Sequence, residues 1–225
     1  MLKRYGRNYP TILEEEQAAL QQKRVLVAGC GGLGGYLIEF LLRMGVGEIT
    51  AVDGDVFEES NLNRQLLSSE ADLGKQKALQ AEKRAKQINT HVHFRAVAAF
   101  LDGENAYHLV NGQDLVLDAL DNIPSRLLLE DVCRQCGVTL VHGAISGWNA
   151  QVAVVPPGSG LLHQLYQNGA ANEKTSLPFT PAFCAAIQAA EAVKILSGRP
   201  AITAGKLLSA NMDTMDLEIL PLCDV

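Results

Sequence analysis

Residues 24–53, RVLVAGCGGLGGYLIEFLLRMGVGEITAVD, constrain the fold more tightly than any other stretch of this chain. Val25-Leu26-Val27-Ala28 is a short apolar run of the kind buried in a parallel sheet. A glycine cluster follows at Gly29, Gly31, Gly32, Gly34 and Gly35, and then Leu33, Leu37, Phe40, Leu41 and Met44 recur at helical spacing. A second apolar run, Ile49 to Val52, ends in Asp53. Strand, glycine turn, helix, strand and terminal acid make a nucleotide-binding βαβ unit. The glycines let backbone approach a phosphate, and the helix start offers free N–H groups and the positive end of its dipole. Asp53, about 20 residues past the glycines, stands where a carboxylate accepts ribose hydroxyls. This pattern specifies a nucleotide and leaves the chemistry open.

Ahead of the first strand, Leu13 to Lys23 reads as an exposed helix, and Arg4-Tyr5-Gly6-Arg7 as a solvated arm. After Asp53 comes the most polar part of the chain, with Asp55, Ser60-Asn61-Leu62-Asn63-Arg64-Gln65 and Gly74-Lys75-Gln76-Lys77. So many charged and amide groups beyond one strand end mark a ligand-facing loop. The following helix, Lys75 to Gln87, offers Lys75 and Lys77 in its first turn as phosphate partners. His91 and His93 fall in a strand-like run, His91 to Val97, and lack a third ligand nearby. A short helix is expected from Asp102 to Asn111, with Asp102 as its N-cap. Asp114 to Leu120 reads as a fourth strand running into Asp121-Asn122 at the crevice, and Pro124 opens a helix that ends at Gly137.

Val138 to Val141 and Asn149 to Val155 read as further strands, and residues 158–180 as a long crossover loop without pattern. An alanine-rich helix, Pro181 to Leu196, and two closing strands, Lys206 to Ala210 and Leu217 to Leu220, complete the chain. The five cysteines do not suggest a disulfide framework. Cys133 and Cys136 form a C-x-x-C pair, open to redox, zinc or packing readings; without a second pair, packing is favoured.

With 225 residues, 48% of them hydrophobic, the chain can bury the core of a single α/β domain. A net charge of −6 argues against binding nucleic-acid phosphates. No uninterrupted apolar run reaches the ~18 residues of a membrane span, and the N-terminus lacks a signal-peptide core, so a cytoplasmic location is expected.

Gly29-Cys30-Gly31-Gly32-Leu33-Gly34, Asp53-Gly54-Asp55, Ser60 to Gln65, Gly74 to Lys77 and Leu120-Asp121-Asn122 occur in order along the chain. Together they resemble the ThiF/MoeB/HesA family of E1-like adenylyltransferases, relatives of ubiquitin-activating enzymes, and the resemblance covers nearly the whole chain. It implies a Rossmann-like, largely parallel sheet flanked by helices and extended by C-terminal antiparallel strands. The whole of 1–225 would be one domain: an N-terminal arm and helix (1–23), a nucleotide-binding part (24–146), and a carrier-binding and dimer part (147–225). The implied activity is ATP-dependent adenylation of the C-terminal glycine of a ubiquitin-fold sulfur carrier ending in Gly-Gly. The pathway would be thiamine, molybdopterin or a related sulfur transfer, with the thiamine type favoured.

In that family pattern the glycine loop and Asp53 hold the nucleotide, with Asp55 and Asn122 beside it. Asn61, Arg64 and Lys77 surround the triphosphate, and Asp121 is the acid associated with Mg2+ and the reacting phosphate. Arg7 matches an arginine that reaches into a neighbouring subunit's site, so a homodimer is implied. One departure concerns zinc, which many relatives hold on two C-x-x-C pairs. Here Gly160 to Leu165 stands where the first pair would fall, and only Cys223 remains of the second, so no zinc is expected. Cys184 reads as a packing residue rather than a nucleophile. Two other readings stay open: an NAD-dependent oxidoreductase, and a non-catalytic carrier-binding relative.

Overall fold

The computed structural model describes residues 2–169, 175–201 and 204–222. Strands β1 (Arg24–Ala28), β2 (Glu48–Val52), β3 (His93–Val97), β4 (Leu115–Asp118), β5 (Leu140–Ser146), β6 (Asn149–Val155), β7 (Lys206–Asn211) and β8 (Asp216–Pro221) form one sheet. Its order is β3-β2-β1-β4-β5-β6-β7-β8. From β3 to β5 neighbouring strands are parallel; from β5 to β8 they are antiparallel. This is the mixed architecture expected from the sequence.

The apolar runs are buried on both faces because helices cover both, as a parallel sheet requires. Val25 and Val27 face one side, packing with α1 (Glu14–Leu20), α2 (Gly32–Met44), α3 (Lys77–Ile88) and α7 (Phe179–Leu196). Leu26 and Ala28 face the other, with α4 (Ala106–Val110), α5 (Ile123–Cys136) and α6 (Leu161–Leu165). That alternation is the two-residue period of a strand. Each fully buried Leu or Ile on these faces, such as Leu26, Ile49 or Leu117, contributes roughly 1.5–3 kcal/mol. β8 is different, since every residue in it is exposed.

Several boundaries differ from the sequence expectation. α1 is not an exposed helix: Gln17 and Leu20 are buried, and the Gln17 amide donates to Met44 O at 2.7 Å. The arm before it is not solvated either. Tyr5 is fully buried, and its hydroxyl accepts from Asn89 Nδ2 at 2.8 Å. Gly45, which ends α2 with φ 75°, lies against Tyr5 so closely that a Cβ would stand 2.3 Å from its hydroxyl. Helix end and arm are therefore complementary surfaces, which no local pattern announces.

α3 begins at Lys77, leaving Lys75 outside the helix and paired with Asp72 at 3.0 Å. His91 precedes β3, so the two histidines do not share a strand face. α4 starts four residues later than expected, and Asp102 instead caps the preceding turn, accepting from Glu104 N and Asn105 N. The crossover segment contains a helix, α6, and α7 already starts at Phe179. Among the described residues α7 is the one helix long and apolar enough to cross a membrane. Here it lies on the sheet, with Cys184, Ala185, Ala189 and Ala192 in the core.

Candidate active site

β1 is flanked by β2 on one side and β4 on the other, so the chain reverses its direction of travel across the sheet between β1 and β4. Open α/β sheets bind ligands at such a switch point, beyond the carboxyl ends of the strands. A cleft of about 320 Å³ lies there. Gly29, Gly31 and Gly32 from the β1 loop line it, as do Asp53 and Asp55 after β2, Arg64 and Lys77 beyond, and Asp121 and Asn122 after β4.

The glycine loop is shaped by two close approaches. Gly29 has φ 101°, and a Cβ on it would stand 2.6 Å from Ala119 O; a Cβ on Gly34 would stand 1.9 Å from Gly29 O. These two glycines let the loop fold onto its neighbours. Gly31 and Gly32 differ, since added Cβ atoms would meet only ordinary contacts at 3.6 and 3.5 Å. Their cleft exposure leaves room for a ligand atom. Gly31 caps α2 without any side-chain bond, so the first N–H groups of that helix face the cleft without a side-chain partner.

Asp53 holds this loop to the next. Its carboxylate accepts from Cys30 N at 2.7 Å and Asp55 N at 2.8 Å. Burial raises its pKa, against the pull of those two N–H groups and of Lys77. Lys77 is buried at the start of α3, its ammonium 3.1 Å from Asp55. Arg64 projects from a turn, where Nη1 donates to Ser60 O and to Asn63 Oδ1, both at 2.9 Å. Asn63 Nδ2 donates to Ser176 O at 3.1 Å, tying this turn to the end of the crossover segment.

Asn122 caps α5, accepting from Ser125 N at 2.9 Å, and its amide lies 3.3 Å from Asp121 Oδ1. The acid that ends β4 is not Asp121 but Asp118, fully buried and 2.6 Å from His142 Nδ1. Burial lowers the His142 pKa and raises that of Tyr166 beside it.

Three expected site residues do not line the cleft. Gly34 lies beneath the loop. Asn61 is buried, and its Oδ1 accepts from Glu58 N at 3.1 Å, closing its own turn. Arg7 is exposed on the arm and does not line the cleft of its own chain. Conversely, Phe100, Ser125, Arg126 and Ser176 line the cleft without having been singled out, as does Gln65, which was named within its motif but given no role. Gln65 directly follows Arg64, and that adjacency was the available signal; Arg126 and Ser176 arrive through long-range packing. Gln65 Oε1 and Ser176 Oγ are buried without a hydrogen-bond partner, polar atoms suited to a ligand.

The four described cysteines are free. Burial pushes the Cys184 thiol up to about 12 and raises Cys133 as well, against thiolate formation. Among the described residues no three His, Cys, Asp or Glu side chains cluster as a metal site. Cys223 lies outside the described residues.

A doubly wound sheet with a glycine-floored cleft of mixed charge at its switch point defines a nucleotide-binding α/β protein of the phosphate-handling kind. The chain matches the ThiF family over residues 5–224 and belongs to it. It is 37% identical to the SAMP-activating enzyme E1 of Haloferax volcanii, over 98% of this chain and 85% of that one. It is 36% identical to the sulfur carrier protein adenylyltransferase of Thermus thermophilus, over 92% of this chain and 82% of that one. The crystal structure of E. coli MccB with ATP shares the fold, with a TM-score of 0.87 at 20% identity, covering 100% of this chain and 72% of that one.

Proposed function

We propose that this chain is an ATP-dependent adenylyltransferase that activates the C-terminal glycine of a ubiquitin-like sulfur-carrier protein. The observation that carries the reading is the convergence of Arg64, Lys77 and Asp121 on one glycine-floored cleft, in a chain whose relatives are named for carrier activation. The dehydrogenase reading leaves those three residues without a task, and the family membership stands against it. The intact charged set argues against a non-catalytic relative.

The chemistry suits the residues. A peptide C-terminal carboxylate has a pKa near ~3.5, so it is ionised at neutral pH and needs no general base. One carboxylate oxygen forms a bond to the α-phosphorus, the bond from that phosphorus to the β-phosphate oxygen breaks, and pyrophosphate leaves. The difficulty is electrostatic, because an anion approaches a polyanion. Gly31, Gly32 and the α2 N-terminus would cradle phosphate, and Asp53 would receive the ribose. Arg64 and Lys77 would face the phosphates, Lys77 exchanging its Asp55 partner for them. Mg2+ fits at Asp121 provided phosphate oxygens complete its shell, since no cluster of three ligands is present among the described residues. When bound it would neutralise charge on the departing pyrophosphate.

The working unit would be a homodimer with composite sites, Arg7 reaching the neighbour's cleft from an arm anchored by Tyr5. Residues 147–225 would supply the carrier and dimer surface, where β8 exposes Leu217, Ile219 and Leu220. No zinc is needed in this reading. Gly160 there is the N-cap of α6 (Leu161–Leu165), which is pinned to α5 by Glu130, accepting from Leu162 N at 3.0 Å and His163 N at 3.1 Å. Metal analysis of purified protein tests this, and stoichiometric zinc would refute it. A cytoplasmic location accords with ATP as substrate and with the free cysteines. Carrier-dependent ATP–pyrophosphate exchange is expected to fall by about 10²–10³-fold in Arg64→Ala and Asp121→Ala; wild-type exchange in both folded variants would overturn these roles.

A further inference from the structure

Behind the Asp121 turn lies a buried polar group that the reaction above does not use. Asp118 ends β4, His142 comes from β5, Gln151 from β6, Arg126 from α5, and Tyr166 closes α6. Asp118 and His142 are fully buried, and Arg126 and Tyr166 nearly so.

The proton order in this group follows from its partners. Arg126 Nη1 donates to the Tyr166 hydroxyl at 3.0 Å, and Gln151 Nε2 donates to it at 2.8 Å. Neither atom accepts, so the hydroxyl hydrogen must go to the remaining neighbour, His142 Nε2 at 3.0 Å. Nε2 therefore carries no proton, and Nδ1 carries one and donates it to Asp118 Oδ2 at 2.6 Å. Asp118 Oδ1 accepts from Leu120 N at 2.9 Å. Arg126, with Nε 3.8 Å from the Asp118 carboxylate, donates from Nε and Nη2 to Leu120 O at 3.2 and 2.7 Å. Both peptide groups of Leu120, the residue before Asp121, are thus held by this network. The guanidinium is committed to backbone and phenol, although Arg126 lines the cleft.

We infer that Tyr166, acting through His142 and Arg126, is a positioning residue that sets the Asp121 turn for adenylyl transfer. The crossover segment so reaches the phosphate end of the site from behind. Its helix is a rigid lever, because Glu130 fastens the first turn of α6 to α5. The catalytic part of this inference rests on the reaction proposed above; the positioning part does not.

The test is Tyr166→Phe, which removes one oxygen and leaves the ring, with Arg126→Lys as a second variant that keeps the charge and loses the fork. In 15N-labelled wild-type protein, His142 should show the neutral, Nδ1-protonated tautomer. In Tyr166→Phe the amides of Leu120, Asp121 and Asn122 should shift while those of Gly29 to Gly35 stay in place. The exchange kcat should fall by roughly ten- to a hundredfold, the cost of a small misplacement, with the KM for the carrier unchanged. An Nε2-protonated His142, or unmoved 120–122 amides with a wild-type kcat in both variants, would overturn the inference. A wild-type protein without exchange would instead sink the reaction, and the tautomer and amide shifts would still decide the positioning role.

Discussion

The two halves of this sheet are built on different terms. From β3 to β4 the strands are parallel, with β2, β1 and β4 buried, and they are followed by loops whose side chains converge on one cleft. From β5 to β8 they are antiparallel, and the last strand is wholly exposed. In the first half, close backbone approaches and short motifs create a rigid nucleotide cradle. In the second, β8 exposes Leu217, Ile219 and Leu220, the surface that the proposed reading gives to a macromolecular partner. The proposed reaction divides accordingly: the parallel half handles the triphosphate, and the antiparallel half presents the macromolecule.

Substitutions can separate the two. The largest effect is expected at Asp121→Ala and Arg64→Ala, where losing a group that faces the reacting phosphates should lower exchange by about 10²–10³-fold with folding intact. Removing divalent cation with EDTA should stop exchange as completely, and added Mg2+ should restore it. Next comes the composite site. Arg7→Ala and Asp121→Ala proteins, each inactive alone, should recover about a quarter of wild-type exchange on mixing if dimers reassort, because each mixed dimer has one intact site. No recovery, with mixed dimers demonstrated by mass, would place Arg7 elsewhere.

The glycines give a smaller and sharper contrast. Gly34→Ala, with its Cβ 1.9 Å from Gly29 O, should destabilise the fold by about 3 kcal/mol in urea unfolding. Gly31→Ala, where the nearest atom is 3.6 Å away, should leave stability alone and raise the KM for ATP. Equal effects on stability would erase the distinction between folding and ligand glycines. Leu217→Ser with Ile219→Ser on β8 should likewise change stability by no more than about 0.5 kcal/mol, while the KM for the carrier rises and that for ATP does not.

The parallel half was the more legible in the sequence, because its information is local. Gly29 to Asp53 lie within one βαβ unit, and Arg64 and Lys77 follow in the next loop, so spacing alone brings them to one end of the sheet. Asn122 and Pro124 likewise announce the start of α5 through short-range capping. What the sequence concealed depends on contacts between distant residues. Tyr5 is buried because Gly45 and Asn89 make a socket for it, and an Arg-Tyr-Gly-Arg arm has no periodicity to show this. α6 is five residues long and needs Glu130 from another helix, so residues 158–180 read as loop. Asp118, His142 and Tyr166 lie far apart in the chain and meet only when β4, β5 and α6 pack. Asn61 shows the converse: a polar residue inside such a motif also serves the shape of its own turn.

The central claim is that ATP in this cleft is cut at its α-phosphate by a carrier's terminal carboxylate. The direct measurement is ATP–pyrophosphate exchange by the wild-type protein with Mg2+ and ubiquitin-fold carriers ending in Gly-Gly, alongside the same carriers lacking the last glycine. Exchange that requires the intact carrier and vanishes with the shortened one is the predicted result. Binding of NAD in preference to ATP with Mg2+, and no exchange with any such carrier, would contradict it.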